Sequence, residues 1–370
     1  MRKKYAQIFI IAVLTRVLLL VIAYMLTGSH GGFFADLHNM LPTKDAEHYL
    51  KIAENFYAPA GEDAKFIVFY PLYPLLIRIL SIVLIDKVLA GIVISIVAFG
   101  LASVLLYRLC ELENFSKSAR SFAITLLWIS PFGLFFANVF TESLFLALTL
   151  ACIYFTRQRK WAIASVFGFL SALCRTQGVI IWIFVLYEYI IACCSWSDGF
   201  LQTVKKIRAD ILYTLIIPAG YGVYLLINKL VQGDWFAYIT HQSNPPWYQT
   251  AKWVNDNLSQ HLDFGIKYPG LGPILYYAQF AAFFLAVALL MYSAVKNFRT
   301  SYIIYGLAYT TVTYLAGWML SGGRYMMTLA PLYMMCAQVK NETVKMAILF
   351  AGGVLLVILS TLYLLNYSIM

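Results

Sequence analysis

Residues 66–85 read Phe66-Ile-Val-Phe-Tyr-Pro-Leu-Tyr-Pro-Leu-Leu-Ile-Arg-Ile-Leu-Ser-Ile-Val-Leu-Ile85, and whether this run crosses a membrane decides how the whole chain is threaded. Pro71 and Pro74 break it, Arg78 interrupts it, and Asp86-Lys87 close it almost against the next apolar run. Proline removes a backbone donor and restrains the residue before it, so one straight helix over the run is not expected. Other apolar runs of roughly 15 to 22 residues, the length that spans a bilayer, lie near 8–26, 88–108, 120–137, 143–156, 161–174, 179–194, 211–231, 273–295, 301–320, 324–339 and 344–366. They predict about eleven transmembrane helices. If 66–85 does not cross, the basic clusters at 2–4, 108–120, 157–160, 205–208, 296–299 and 340–345 all fall on one side, as the positive-inside rule requires. If it crosses, the later clusters face outward. The run is therefore expected to be a re-entrant or interfacial element, with the N-terminus cytoplasmic and the C-terminus outside.

Composition agrees with a polytopic membrane protein. The chain is 62% hydrophobic and 12% charged, against about 25% charged in globular domains. Its net charge of +10 sits in small clusters between apolar runs, which is how topology signals are written, so no nucleic acid is expected as a partner. The six cysteines lie in or at the ends of apolar segments without metal-site spacing and read as small core residues. No small-residue cleavage site follows the run 8–26, so a retained first span is expected rather than a removed signal peptide. Residues 1–370 form a single integral-membrane domain in this reading, with outer loops at 27–65 and 232–272. The largest inner loop, 195–210, needs only a topological explanation.

The polar residues that interrupt this background are the informative ones. Pro42-Thr-Lys-Asp-Ala-Glu-His-Tyr-Leu-Lys-Ile-Ala53 has the form of a helix start, and Asp45, His48, Tyr49 and Ile52 share one face. Asp45 suits a general base or acid; it also suits a plain helix N-terminal charge. Phe69-Tyr70-Pro-Leu-Tyr-Pro74 leaves backbone groups free at membrane depth, which is tolerated where protein or a cavity covers them. Asn138-Val-Phe-Thr-Glu142-Ser143 puts a carboxylate where one span ends and another begins.

Cys174-Arg175-Thr-Gln177-Gly178 and Ser321-Gly-Gly-Arg324-Tyr325 each place one arginine at the end of a short span. Guanidinium forks match phosphate oxygens, while snorkelling is the bland alternative. The segment Gln232-Gly-Asp234-Trp-Phe-Ala-Tyr-Ile-Thr-His241-Gln242, followed by Pro245-Pro-Trp-Tyr, suits either an aromatic belt or a sugar platform. No helix-borne pair of histidines is present, so no metal is expected. Arg16, deep in the first span, is expected to pair inside the bundle.

Together these motifs resemble the GPI mannosyltransferase 2 (PIG-V-like) family, multi-span glycosyltransferases of the GT-C type, over most of the chain. The resemblance rests on Asp45-Ala-Glu-His-Tyr-Leu-Lys-Ile-Ala53 and Phe69-Tyr-Pro-Leu-Tyr-Pro-Leu75, supported by Thr141-Glu-Ser143, Arg175-Thr-Gln-Gly178, Gly233-Asp234 and Ser321-Gly-Gly-Arg-Tyr325. The chain departs from the pattern in Lys44, where Trp or Tyr is often seen, and in Gln177, where Asn is common.

The resemblance implies a GT-C-like helical bundle with extracytoplasmic active-site loops. It also implies transfer of a mannose-like sugar, with inversion, from a polyprenyl-phosphate-linked donor. The acceptor would be a glycolipid, glycan or protein at the outer membrane face, and neither nucleotide sugar nor cofactor is implied. In that reading Asp45 is the base and Glu142 the second candidate. Arg175 and Arg324 stabilise the carrier phosphate, and His48, Tyr49, Tyr70, Gln177, Asp234, His241 and Tyr325 complete the substrate site. Besides donor and acceptor, only membrane lipid is expected as a partner. The compact length suggests a bacterial inner membrane. Two other classes compete: a lipid or lipid-linked-sugar transporter, which would show paired motifs in two halves near the midplane, and a non-catalytic scaffold, for which Asp45 would not matter.

Overall fold

The apolar runs become helices because lipid offers the backbone no other hydrogen-bonding partner. A computed structural model describes residues 2–27, 32–194, 206–268, 270, 272–317 and 321–367. The stretch 195–205, including Lys205 and most of the expected inner loop, lies outside the described residues. In chain order the α-helices are α1 (Arg2–Thr27), α2 (Phe33–Met40), α3 (Asp45–Asn55), α4 (Leu72–Leu84), α5 (Lys87–Leu112), α6 (Lys117–Trp128), α7 (Glu142–Arg157), α8 (Trp161–Ala172), α9 (Ile181–Cys193), α10 (Ile216–Gln232), α11 (Ala237–Ser243), α12 (Val254–Lys267), α13 (Gly272–Val295), α14 (Thr300–Tyr314), α15 (Gly322–Met326), α16 (Pro331–Cys336) and α17 (Glu342–Leu364). Among the described residues the extended structure amounts to one antiparallel bridge, Ala251 to Ala316.

Six helical stretches are long and apolar enough to cross a membrane: Lys3–Leu26, Lys87–Leu112, Thr176–Cys193, Ala209–Gln232, Tyr276–Val295 and Glu342–Leu364. Each coincides with one of the expected spans. The other expected spans hold shorter or broken helices, such as α6 and α8 with 12 residues each, so the count of about eleven is not reproduced. Hydropathy reads apolar character but not interruption. The run 120–137 stops being α-helical at Trp128, ahead of Pro131, where the residue before a proline disfavours helix.

The run 66–85 is broken as its prolines require. A 3-10 helix over Glu62–Val68 meets α4 at an angle of 109°. Counted as one bent span, the pair raises the number of crossings to 7.

The core forms around α5 and α7. Helix α5 packs on α1, α4, α6 and α7, and α7 is buried on nearly all sides from Glu142 to Thr156. A helix apolar all round belongs at the centre of a bundle, and this one carries Glu142 inward at its first turn. Arg16 of α1 is fully buried. Its Nη1 donates to the Gly133 carbonyl at 2.7 Å, its Nη2 donates to the Trp128 carbonyl, and its guanidinium lies 4.4 Å from the Phe99 ring. It thereby satisfies carbonyls that the early end of α6 would leave without partners.

Helix α5, 26 residues or about 39 Å long at 1.5 Å per residue, separates two charged regions. At its C-terminal end Lys4 and Arg120 pair with Glu111, Arg157 pairs with Glu113 and Glu188, and Arg299 pairs with Glu188. Residues of four basic clusters thus meet at one end of the bundle. At its N-terminal end Asp86 accepts from the Val88 and Leu89 amides and pairs with His38 of α2 at 2.9 Å. The two expected outer loops, 27–65 and 232–272, meet where Gln232 donates to the carbonyls of Ala58 and Ala64.

Candidate active site

Three short polar turns, distant in sequence, converge beside α3. Asp45 opens that helix, where a carboxylate is favoured by the N-terminal dipole, and its Oδ2 accepts from Arg324 Nη2 of α15 at 3.1 Å. Glu142 opens α7, and its Oε1 accepts from Arg175 Nη1 at 2.7 Å while facing Arg324 Nε at 3.3 Å. Arg175 Nη1 also donates to Thr141 Oγ1 at 3.0 Å. Two guanidiniums and two carboxylates are thus interleaved, the arrangement that makes buried charge tolerable.

Exposure separates the two carboxylates. The Glu142 side chain is 1% exposed and that of Asp45 18%. Asp45 lines a cavity of about 690 Å³ and Glu142 stands behind the arginines, outside its wall.

Aromatic rings hold the arginines in place. Tyr325 lies 4.3 Å from the Arg175 guanidinium and 5.2 Å from that of Arg324. Phe135 and Phe140 flank Arg324 at 5.1 and 5.3 Å. Arg175 is aimed by the 3-10 turn Thr176–Ile180, which presses on the end of α8 so closely that a Cβ at Gly178 would meet the Ser171 carbonyl oxygen at 1.9 Å. Only glycine fits there.

The cavity brings together Asp45, His48, Tyr49, Tyr70, Arg175, Gln177, Arg324 and Tyr325 from the sequence-predicted set. Its remaining wall includes Gln242, Gln249, Thr250 and Ser321, with Tyr238 and Trp247 as ring surfaces. His48 stacks on Phe66 at 4.6 Å, with Phe69 and Trp247 around it, and its Nδ1 is buried without a hydrogen-bond partner. Burial pushes the His48 imidazole below its usual 6.5. Tyr70 stacks on Tyr224 at 4.0 Å.

Asp234 and His241 are placed elsewhere. The Asp234 carboxylate accepts from the Phe236 amide at 3.0 Å, shaping its own turn, and His241 Nε2 meets Gln232 Oε1 at 3.0 Å. Neither lines the cavity.

Two residues outside the predicted set tie the site together. The Tyr363 hydroxyl of α17 accepts from Thr43 Oγ1 and from Asn138 Nδ2, each at 2.9 Å, and reaches the Leu41 carbonyl at 3.4 Å. One phenol thereby joins the loop before Asp45 to the loop before Glu142. Lys44, on the cavity wall, stands over the Tyr363 ring at 5.0 Å. The signal for Lys44 was present in its adjacency to Asp45; for Tyr363, one tyrosine in an apolar run, there was none.

The arrangement has two chemical capacities. Asp45 is a carboxylate open to the cavity, able to take a proton from a hydroxyl. Arg324, 3% exposed in its side chain, turns Nε toward Glu142 and keeps Nη1 without a hydrogen-bond partner, and such an idle donor suits an anion's oxygen.

The sequence matches no family model and no curated protein. The fold matches that of the oligosaccharyltransferase of Archaeoglobus fulgidus, solved in complex with zinc and sulfate, with a TM-score of 0.50 and 14% identity. The likeness covers 98% of this chain and 53% of the archaeal one, so this chain spans about half the length of that protein. At this identity the likeness is one of fold alone, a helical membrane architecture. The zinc has no evident ligand set here: among the described residues no three His, Cys, Asp or Glu side chains gather as a metal would require.

Proposed function

We propose that this protein is a membrane glycosyltransferase that moves a mannose-like sugar from a polyprenyl-phosphate-linked donor to a hydroxyl acceptor at the extracytoplasmic face, with inversion. The observation that carries the reading is the Asp45–Arg324 pair on the cavity wall, with Arg175 beside it. A sugar leaving phosphate needs cationic donors for the developing charge, and the acceptor hydroxyl needs a base. Asp45 takes the acceptor proton, a role worth about 10²- to 10⁴-fold in rate. The idle Arg324 Nη1 receives a phosphate oxygen, and Arg175 stands ready behind Tyr325. Glutamine amides and the Trp247 face suit a polyhydroxylated ring. The likeness of the fold to an oligosaccharyltransferase and the family resemblance of the motifs point the same way.

The test uses purified protein with polyprenyl-phosphate-mannose and a pool of glycolipid, glycan and protein acceptors, with carrier phosphate and sugar products read by mass spectrometry. Turnover in the wild type that collapses in Asp45→Asn is the expected result. Full turnover in Asp45→Asn would remove Asp45 as the base. No consumption of donor by either protein would remove the transferase reading.

A further inference from the structure

Charge counting at the site singles out Lys44. Both arginines are matched by carboxylates: Arg175 by Glu142, and Arg324 by Asp45 and Glu142. Their N–H groups remain useful, but their charge is cancelled. Lys44 lines the same cavity, and no carboxylate among the described residues is paired with its ammonium. It donates to the Tyr367 carbonyl and stands over the Tyr363 ring. An ammonium has three donors, so two remain.

The backbone points in the same direction. Lys44 holds φ at +60° as the N-cap of α3, a conformation that glycine would adopt more cheaply and that strains a side-chain-bearing residue. Contacts with the last turn of α17 and the residues after it keep it there, immediately before Asp45.

We propose that Lys44 supplies the net positive charge that binds the donor phosphate, matching the single charge of the phosphodiester in the donor proposed above. This rests on the glycosyl-transfer reading above. Lys44, Arg175 and Arg324 against Asp45 and Glu142 leave one positive charge, which a phosphodiester monoanion neutralises. Transfer breaks the bond from sugar C1 to the phosphate oxygen and forms one from C1 to the acceptor oxygen. The acceptor proton goes to Asp45, and the electron pair of the broken bond stays on the phosphate, which becomes a dianion. Protonated Asp45 no longer cancels Arg324, so the cluster gains one positive charge as the phosphate gains one negative. The site is neutral before and after transfer, and it is so only with Lys44 counted. A diphosphate-linked donor carries more charge than the cluster matches.

Burial, helped by the nearby Arg324 and opposed by Asp45, lowers the Lys44 ammonium to about 8. The groups that face it are those two, the Tyr363 ring and the Tyr367 carbonyl. Its charge is present below that pH and lost above it.

The experiment measures binding of a prenyl methyl phosphodiester, singly charged and unreactive, to the full-length protein in nanodiscs between pH 7 and 10. Wild type is expected to bind it and to lose affinity above pH 8. Lys44→Met should bind about 10- to 100-fold more weakly, the range of a hydrogen bond to a charged group, with no such loss. Lys44→Arg should bind tightly with the loss moved to higher pH, which also shows that the loop has folded. Lys44→Met binding as tightly as wild type, or no alkaline loss in wild type, overturns the proposal. Equal turnover of monophosphate-linked and diphosphate-linked sugar by wild type overturns the donor assignment. Binding as expected with neither donor consumed would sink the transferase reading and leave Lys44 as a phosphate ligand.

Discussion

Replacing Glu142 with Gln separates a counter-ion from a catalytic base. Glu142 is 1% exposed and is shared by two arginines whose side chains are 8% and 3% exposed. The substitution keeps the size of the side chain and lets the amide oxygen accept from Arg175 as before. Among the described residues it removes the one carboxylate between the two guanidiniums, Arg324 retaining Asp45 on its far side and Arg175 retaining none. Breaking a buried pair costs about 3 to 5 kcal/mol, because the remaining charge stays buried without compensation. The surviving hydrogen bond argues for the lower end, about 3 kcal/mol. Asp45→Asn leaves Arg324 its contact with Glu142 and an amide oxygen that can still accept from it, and should cost less, about 1.5 kcal/mol, the lower end for a hydrogen bond to a charged group. Thermal unfolding in one detergent, followed by intrinsic fluorescence beside a donor-turnover assay, distinguishes the two. Glu142→Gln is expected to be the unstable protein and Asp45→Asn the stable, inactive one. A stable but inactive Glu142→Gln beside an active Asp45→Asn would exchange the two roles and refute the assignment from exposure.

Tyr363→Phe deletes a hydroxyl and leaves the buried Asn138 Nδ2 without its acceptor, so a loss of about 1 to 3 kcal/mol is expected; because the same hydroxyl holds the loop before Asp45, kcat should fall more than KM for the donor changes, and an unchanged kcat would disprove the positioning role. Gly178→Ala drives a methyl into the Ser171 carbonyl, and the shift should cost about 1 to 3 kcal/mol and misplace Arg175, visible as weaker phosphodiester binding; full binding would show that the turn can give way. His48 gives a pH signature. Its folded pKa lies below 6.5 because of burial, so the unfolded chain takes up the proton first as pH falls. The stability of a neutral His48 is therefore present above pH 6.5 and lost on acidification through the folded pKa. His48→Phe, which keeps a ring against Phe66, should be the more acid-resistant protein in urea unfolding at pH 5 compared with pH 8, and parallel curves would exclude a buried neutral imidazole.

In an apolar chain the polar exceptions are visible one by one, which is why Asp45, Arg175 and Arg324 could be picked out from the sequence. Their pairing could not. Asp45 and Arg324 stand 279 positions apart, and nothing in either motif says that it faces the other. Helix existence was legible because lipid enforces it, and so was the proline break after Phe69. Span length was not, because composition continues through Pro131 and Arg175 while the helical backbone does not. Asp234 resembled a site residue by its motif, yet its carboxylate closes a local turn. Tyr363 illustrates the opposite failure. It is one of 27 tyrosines in a run that reads as a plain span, and only the fold gives its hydroxyl two donors to accept.

Buried arginine–glutamate chemistry alone does not mark the site, since the bundle uses it at both ends. Around Glu188 the carboxylate is saturated: Oε1 accepts from Arg299 Nε and Ser301 Oγ, and Oε2 accepts from Arg157 Nη1 and Arg299 Nη2. A saturated network of this kind ties α7, α9 and α14 together and asks for nothing more. Around Glu142 the network stays open, with Arg324 Nη1, Glu142 Oε2 and His48 Nδ1 all buried without hydrogen-bond partners. Each idle group costs about 1 to 3 kcal/mol, and three of them on or just behind the wall of one cavity are a burden that packing alone would remove. An idle donor such as Arg324 Nη1 makes physical sense where a ligand bearing oxygens completes it, so the open network is the one proposed to bind substrate, while the closed one is structural.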